Sequence, residues 1–290
     1  MAAVSSDGIH VWSMTTPQEV IFLPCVGCGA IRFDHSGQYL FAWGASGLCR
    51  WHLQTKSGNL EAGPAQMFRG QAGPGHIYDL CLSPDDRSLL LNVGRRAMHI
   101  DLSHDHAEKE LGQHRYLDRM AWSGNGRWVA GGTWQGEGVK VWDVERFTVV
   151  KEIPGDRPGA TSAYPIFSPD SRCLVVCGQK EYRFFNCADW SLTRVLPRSS
   201  LNTGPGILAF QNKGNLIALT DSPDKVLLFD QDSLQMQAVL ESDPNLTIVE
   251  LRFDGADAHL AVGTAQNGIQ WWDLRDLRGE LTRMGLDWGS

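Results

Sequence analysis

Two pairs of soft ligands stand near the start of the chain. Cys25-x2-Cys28 and Cys49-x2-His52 have 20 residues between them, and four nitrogen and sulfur ligands in two such knuckles can hold zinc in a tetrahedron. A second cluster, His99, Asp101, His104, Asp105, His106 and His114, offers imidazoles and carboxylates to a divalent ion. Cys173 and Cys177 share one face of an extended segment, about 13 Å apart between Cα atoms, which is too far for a disulfide. Each group also has a plainer reading. Cys49 falls inside an apolar strand pattern and His52 follows the Trp that closes it, so the zinc ligands would have to leave that pattern. The stretch 104–110 reads as a solvated connection, and Cys173 and Cys177 read as core. No metal site and no cofactor are therefore expected. There is no Gly-rich phosphate loop, Gly-x-Ser-x-Gly or His-Glu-x-x-His, and no catalytic residue is assigned.

The elements that must carry these residues repeat. Gly138-Val-Lys-Val-Trp142-Asp143-Val144 is a short apolar run closing on Trp-Asp. Further copies close at Trp12, Trp51, Ile100, Phe185, Phe229 and Trp272. The intervals between the seven anchors are 39, 49, 42, 43, 44 and 43 residues. Before six of them stands an apolar strand, a polar turn and another apolar strand. Examples are Leu80-Cys-Leu-Ser-Pro-Asp-Asp86, Met120-Ala-Trp-Ser-Gly-Asn-Gly126 and Pro165-Ile-Phe-Ser-Pro-Asp-Ser171. Ser-Pro-Asp and Asn-Gly between strands are turn chemistry: Pro presets φ, and Gly and Asn accept positive φ. A fourth strand follows several anchors, as in Val20–Leu23 and Thr148–Ile153. Each unit thus reads as strands a, b, c and d. Inner strands apolar on both faces imply sheets sandwiched between sheets.

Composition narrows the function. The chain has 26 Lys+Arg against 33 Asp+Glu, net −7, and no basic run, so nucleic acid is not an expected partner. No apolar run reaches the roughly 18 residues of a membrane span, and no signal peptide is visible at the start. Seven Cys, several within apolar strands, read as reduced thiols in a cytoplasmic compartment.

Seven Trp-Asp-like anchors at this period resemble the WD40 repeat family, and the resemblance covers nearly the whole chain. It implies an all-β fold: a seven-bladed WD40-type β-propeller with an incomplete first blade and a short C-terminal helix. Residues 1–24 would be the truncated first blade, 25–274 six further blades and 275–290 a helical tail. In the tail, Leu274, Leu277, Leu281 and Met284 share a helical face that is expected to pack on the last blade, with Gly285 as its cap and Leu286 folding back. The ending through Trp288 also resembles the C-terminal propellers of bacterial multidomain proteins that carry an upstream kinase module. That implies a further domain upstream in the same protein.

In the family, a Trp on strand c, a Ser/Thr on strand b, an Asp in the b–c turn and a His before strand a bond to one another. Here Ser5, Asp7 and Trp12 fit that set, as do His114, Thr133 and Trp142, but Gly136 and Asn267 stand where an Asp belongs. Propeller enzymes gather His and acids where the strands a begin, and Ala30, Tyr78, Asp118, Tyr164, Ile207 and Glu250 show no such recurrence. The implied role is a non-catalytic scaffold or sensor that binds a protein or peptide, part of a larger signalling protein. Its contact residues would lie on the b–c and d–a turns that rim the channel: Arg95, Arg96, Arg115, Tyr116, Trp134, Glu137, Lys180, Glu181 and Lys225. A hydrolase or lyase with a channel site and a purely structural spacer are the alternatives.

Overall fold

The computed structural model describes residues 1–13, 18–68, 79–103, 107–157, 159, 161–199, 204–266 and 268–284. The described residues form an all-β arrangement of antiparallel sheets with one short helix. The chain divides into two compact units, Met1–Ile153 and Pro154–Ser290.

In the first unit the strands pair in four sets. β1 (Ala2–Val4), β2 (Ile9–Ser13) and β3 (Gln18–Leu23) form the first. β4 (Ala30–Phe33), β5 (Tyr39–Gly44) and β6 (Gly47–Lys56) follow, and β6 is edged by β7 (Asn59–Ala62) and β8 (Gln66–Met67). The third set is β9 (Leu80–Leu82), β10 (Ser88–Val93), β11 (Arg96–Asp101) and β12 (Glu108–Gln113). The fourth is β13 (Leu117–Trp122), β14 (Trp128–Gly136), β15 (Val139–Asp143) and β16 (Thr148–Ile153). The second unit holds β17 (Thr161–Phe167), β18 (Cys173–Cys177), β19 (Glu181–Asn186) and β20 (Leu192–Pro197), paired in that order. Then come β21 (Leu208–Phe210), β22 (Leu216–Ser222), β23 (Lys225–Asp230) and β24 (Met236–Glu241). The last set is β25 (Ile248–Phe253), β26 (His259–Thr264) and β27 (Ile269–Asp273). Six anchors lie on the third strand of their sets, β6, β11, β15, β19, β23 and β27, and Trp12 lies on β2, the middle strand of the first set.

The turns between first and second strands share one construction. Asp86 N donates to Ser83 O at 3.0 Å, Gly126 N to Ser123 O at 2.8 Å, Ser171 N to Ser168 O at 2.9 Å and Asp257 N to Asp254 O at 3.0 Å. In three of them the first residue's hydroxyl also donates to a side chain two places on: Ser83 to Asp85, Ser123 to Asn125 and Ser168 to Asp170. The fourth residue carries positive φ, and it is Asp86, Ser171 and Asp257 as often as Gly37 or Gly126. Short polar side chains tolerate that region at a cost of about 1 kcal/mol, so Gly is not obligatory there.

Both faces of the inner strands are buried, as the apolar pattern requires. On β10, Leu89 and Leu91 join Phe41, Leu48 and Phe68 of the preceding set, while Leu90 joins Leu117, Met120 and Trp142 of the following one. Ile9 and Val11 meet Leu40 and Trp51 in the same manner. In the second unit Tyr182 and Phe184 meet Leu208 and Ile217, and Val226 and Leu228 meet Leu251, Leu260 and Val262. Successive sets within each unit therefore stack face to face.

Polar ties reinforce the stack. Asp79 is 3% exposed. Its carboxylate accepts from Met120 N at 2.8 Å, Leu80 N at 3.0 Å and Arg32 Nη2 at 3.2 Å, which links three successive sets. The Asp257 carboxylate accepts from Asn212 N at 2.8 Å and Lys213 N at 2.6 Å, across two sets of the second unit.

Three expectations change. Residues 108–110 belong to strand β12 and not to a solvated connection, because Leu111, 4% exposed, docks on the cluster around Trp142 and draws the segment onto β11. Trp134 lies within β14 and not at a turn tip, since the strand runs on to Gly136, past its last pair with β15, Gly132–Val139. The helix α1 (Leu274–Arg283) is capped by Asp273, which accepts from Arg275 N and Asp276 N. Only its first half packs as expected: Leu274 and Leu277 join the core, whereas Met284 is 62% exposed. Gly285, Leu286 and Trp288 lie outside the described residues. No helix among the described residues is long and apolar enough to cross a membrane.

Candidate functional site

The hairpin of β13 and β14 is fixed from below by a buried set. His114 is 1% exposed and Trp142 fully buried. The imidazole Nε2 donates to Gly138 O at 3.0 Å, and the ring sits edge-on to Trp142 at 6.4 Å. Thr133 Oγ1 donates to the same carbonyl at 3.1 Å and accepts from Gly138 N at 3.3 Å. Histidine and threonine thus converge on one backbone carbonyl. An ideal Cβ on Gly136 would lie 2.5 Å from Thr133 Cβ and 2.8 Å from Arg115 O, so no side chain fits. Among the described residues His114 Nδ1 and Trp142 Nε1 are buried without a hydrogen-bond partner. Burial lowers the His114 pKa below the ordinary imidazole range and keeps it neutral.

Above this base the chain turns its large side chains outward. Tyr116 is 49% exposed and Trp134 45%. They are neighbours, because Trp134 N donates to Tyr116 O at 3.1 Å. Arg115 lies over the Tyr116 ring at 4.9 Å and donates to its hydroxyl at 3.2 Å. Tyr116 (φ 60) and Gln135 (φ 52) both hold left-handed backbone. For a tyrosine that conformation costs about 1 kcal/mol or more, and it sets the direction of the Cα–Cβ bond. Arg95 joins the same edge, its carbonyl accepting from His114 N at 2.8 Å. Arg96 begins β11 beside Gln113, and Glu137 is exposed between β14 and β15. Six of the nine expected contact residues thus belong to one end of adjoining sheets in the first unit.

The other three belong to the second unit. Lys180 is exposed in the turn between β18 and β19, and its backbone N donates to Asp156 at 2.6 Å. Glu181 stands 3.8 Å from Arg183, whose Nη2 donates to Pro154 O at 2.6 Å. Arg198 Nη1 donates to Gly178 O, Gln179 O and Gly204 O at 3.1–3.2 Å, tying the turn to the chain after β20. Lys225 pairs with Glu241 at 2.8 Å, in solvent. Asp156, Arg183 and Arg198 were not legible as site residues, since single charged residues with no recurring spacing give no signal.

The residues read as possible metal ligands separate into two outcomes. Three of the four in the first group do come together without leaving the strand pattern. Cys25, Cys28 and Cys49 all join the cluster of Leu40 and Trp51, and the Cys28 and Cys49 thiols donate to Ala30 O at 3.8 Å and Ala42 O at 3.6 Å. Strand alternation sends His52 to the opposite face of β6, against the Tyr39 ring at 5.0 Å. Burial pushes the Cys28 and Cys49 thiols up to about 12, which holds them protonated. No group of three His, Cys, Asp or Glu among the described residues is placed to hold a metal ion. Of the second group, His114 is structural as described, and His104, Asp105 and His106 lie outside the described residues. Ser5 donates to Asp7, whose carboxylate also meets His10 at 3.1 Å, and Trp12 stacks on that imidazole.

The chain matches no protein-family model, and no curated protein matches it either.

Proposed function

We propose that the stacked sheets are blades of a seven-bladed WD40-type propeller, and that the protein is a non-catalytic scaffold or sensor binding a protein or peptide partner at the rim. The observation that carries this reading is the exposed edge of Arg115, Tyr116 and Trp134. Two half-exposed aromatics stand on backbone joined by a hydrogen bond, and an exposed arginine lies over one of them. Tyr, Trp and Arg dominate the energetics of protein interfaces because they bury much area at little entropic cost. Holding Tyr116 in left-handed backbone costs stability without improving the core, which suits a side chain held for contact. Arg95, Arg96 and Glu137 supply a polar surround to the aromatic centre.

The test compares the wild-type chain with Tyr116→Ala/Trp134→Ala in affinity capture from cells of its source, followed by direct titration of whatever is enriched. Recognition at this edge predicts a partner whose affinity drops at least about 30-fold in the double variant, the loss of two hot-spot side chains. Equal binding by both forms, at equal thermal stability, refutes it.

A further inference from the structure

The same β13–β14 hairpin carries a second feature at its other end. Between the β9–β10 turn and the β13–β14 turn the first unit leaves a cleft of about 420 Å³, lined among others by Asp85, Ser83, His99, Trp122, Asn125 and Val144. That volume is within the range of small-ligand sites and would hold one long side chain. Its walls are rigid. Trp122 Nε1 donates to Cys81 O at 3.3 Å, which fixes the indole, and His99 meets it edge-on at 6.1 Å and Phe147 at 5.9 Å. Among the described residues His99 has no hydrogen-bond partner for either ring nitrogen, although this ring lines the cleft.

The chemistry of the lining is directional. Asp85 is exposed, and hydrogen bonds from Ser83 and Arg87 N keep its pKa below the usual carboxylate range, so it is anionic throughout the physiological range. Only one of its oxygens, Oδ1, is used by those bonds. The indole offers an electron-rich π-surface, and the neutral imidazole has a lone pair to give. Of the nearby cations, the exposed Arg87 acts on Asp85 from two residues away, and Lys109 on β12 is engaged over the Phe147 ring at 3.4 Å. An anionic oxygen, a π-surface and an imidazole lone pair are all acceptors of positive charge, on a chain of net charge −7.

We propose that this cleft is a binding site for a basic side chain, the ammonium or guanidinium of a lysine or arginine on a partner peptide. The aliphatic stem lies against Trp122 and Val144 and the cation meets Asp85 and His99. The site is separate from the Tyr116–Trp134 edge, so it stands or falls independently of the partner proposed there.

The experiment titrates the intact protein with the peptide acetyl-Gly-Lys-Gly-amide and follows the indole N–H signals by NMR. The chain has 11 tryptophans, so the Trp122 signal is assigned by its disappearance in Trp122→Phe. The expected result is a saturable shift of the Trp122 signal. The matching norleucine and glutamate peptides should leave it unmoved, and Asp85→Asn should weaken lysine binding about fivefold, the size of a partly exposed ion pair. Binding should also weaken as the pH falls and His99 takes a proton. Burial has lowered its pKa, and Asp101 on β11 and Lys109 on β12 act on the same ring in opposite directions. The proposal is overturned if norleucine or glutamate shifts Trp122 as strongly as lysine does, if Asp85→Asn binds lysine unchanged, or if no saturable shift is seen.

Discussion

Replacing Asp79 by Ala should unfold the first unit far more readily than removal of any surface charge. The carboxylate is 3% exposed and receives Met120 N, Leu80 N and Arg32 Nη2. Breaking a fully buried ion pair from one side costs about 3–5 kcal/mol, because the remaining charge is stranded. Arg32 is 30% exposed and retains its bond from Nε to Leu80 O at 2.9 Å, so water relieves part of that penalty. The stranded Met120 N–H adds about 1–3 kcal/mol. A net loss of about 3 kcal/mol follows, and with a urea slope of about 2 kcal/mol/M the midpoint should fall by about 1.5 M. The assay is urea denaturation followed by tryptophan fluorescence. The double variant Asp79→Leu/Arg32→Met should be less destabilised than the sum of its single variants, since it strands no charge. A midpoint shift below about 0.5 M in Asp79→Ala would show that the carboxylate does not link the sheets.

Three further outcomes follow from the buried groups. Trp142→Ala should cost about 3–5 kcal/mol, read from the same denaturation curves, because the indole is fully buried in the cluster that supports the exposed edge. His99 and His114 both have lowered pKa values from burial, so the folded state binds fewer protons than the unfolded chain. Their contribution is complete above the unfolded value of about 6.5 and is lost as the pH falls through the folded values. The melting temperature should therefore drop between pH 7.5 and 5.5, and His114→Gln should flatten the drop; a melting temperature that rises on acidification contradicts this. Finally, Cys28, Cys49, Cys177 and Cys187 have thiols pushed up to about 12, so Ellman's reagent at pH 8 should label them slowly in the folded protein and rapidly in urea.

What could be read in advance was whatever repeats. The anchors, their spacing and the Ser-Pro-Asp turns are local patterns, and every anchor lies in a strand. Asp79 could not be found this way, because its role lies in partners 47 and 41 residues away, Arg32 and Met120. The same holds for the three thiols: spacing paired Cys49 with His52, whereas strand alternation turns one inward and the other outward. Trp134 was placed near its true position, but as a turn residue, whereas strand β14 runs on to Gly136. The cleft beside Trp122 had no sequence signature at all. It forms from two turns 41 residues apart, counted from Ser83 to Gly124, that only stacking brings face to face.

The central claim is that the edge of Arg115, Tyr116 and Trp134 is held outward to contact a partner and not to stabilise the sheets. Its most direct measurement is the pair of properties, partner affinity and melting temperature, of Tyr116→Ala/Trp134→Ala against wild type. The account predicts an affinity loss of at least about 30-fold with the melting temperature within about 2 °C. Unchanged affinity, or a melting temperature lower by about 10 °C that alone explains the loss, would contradict it.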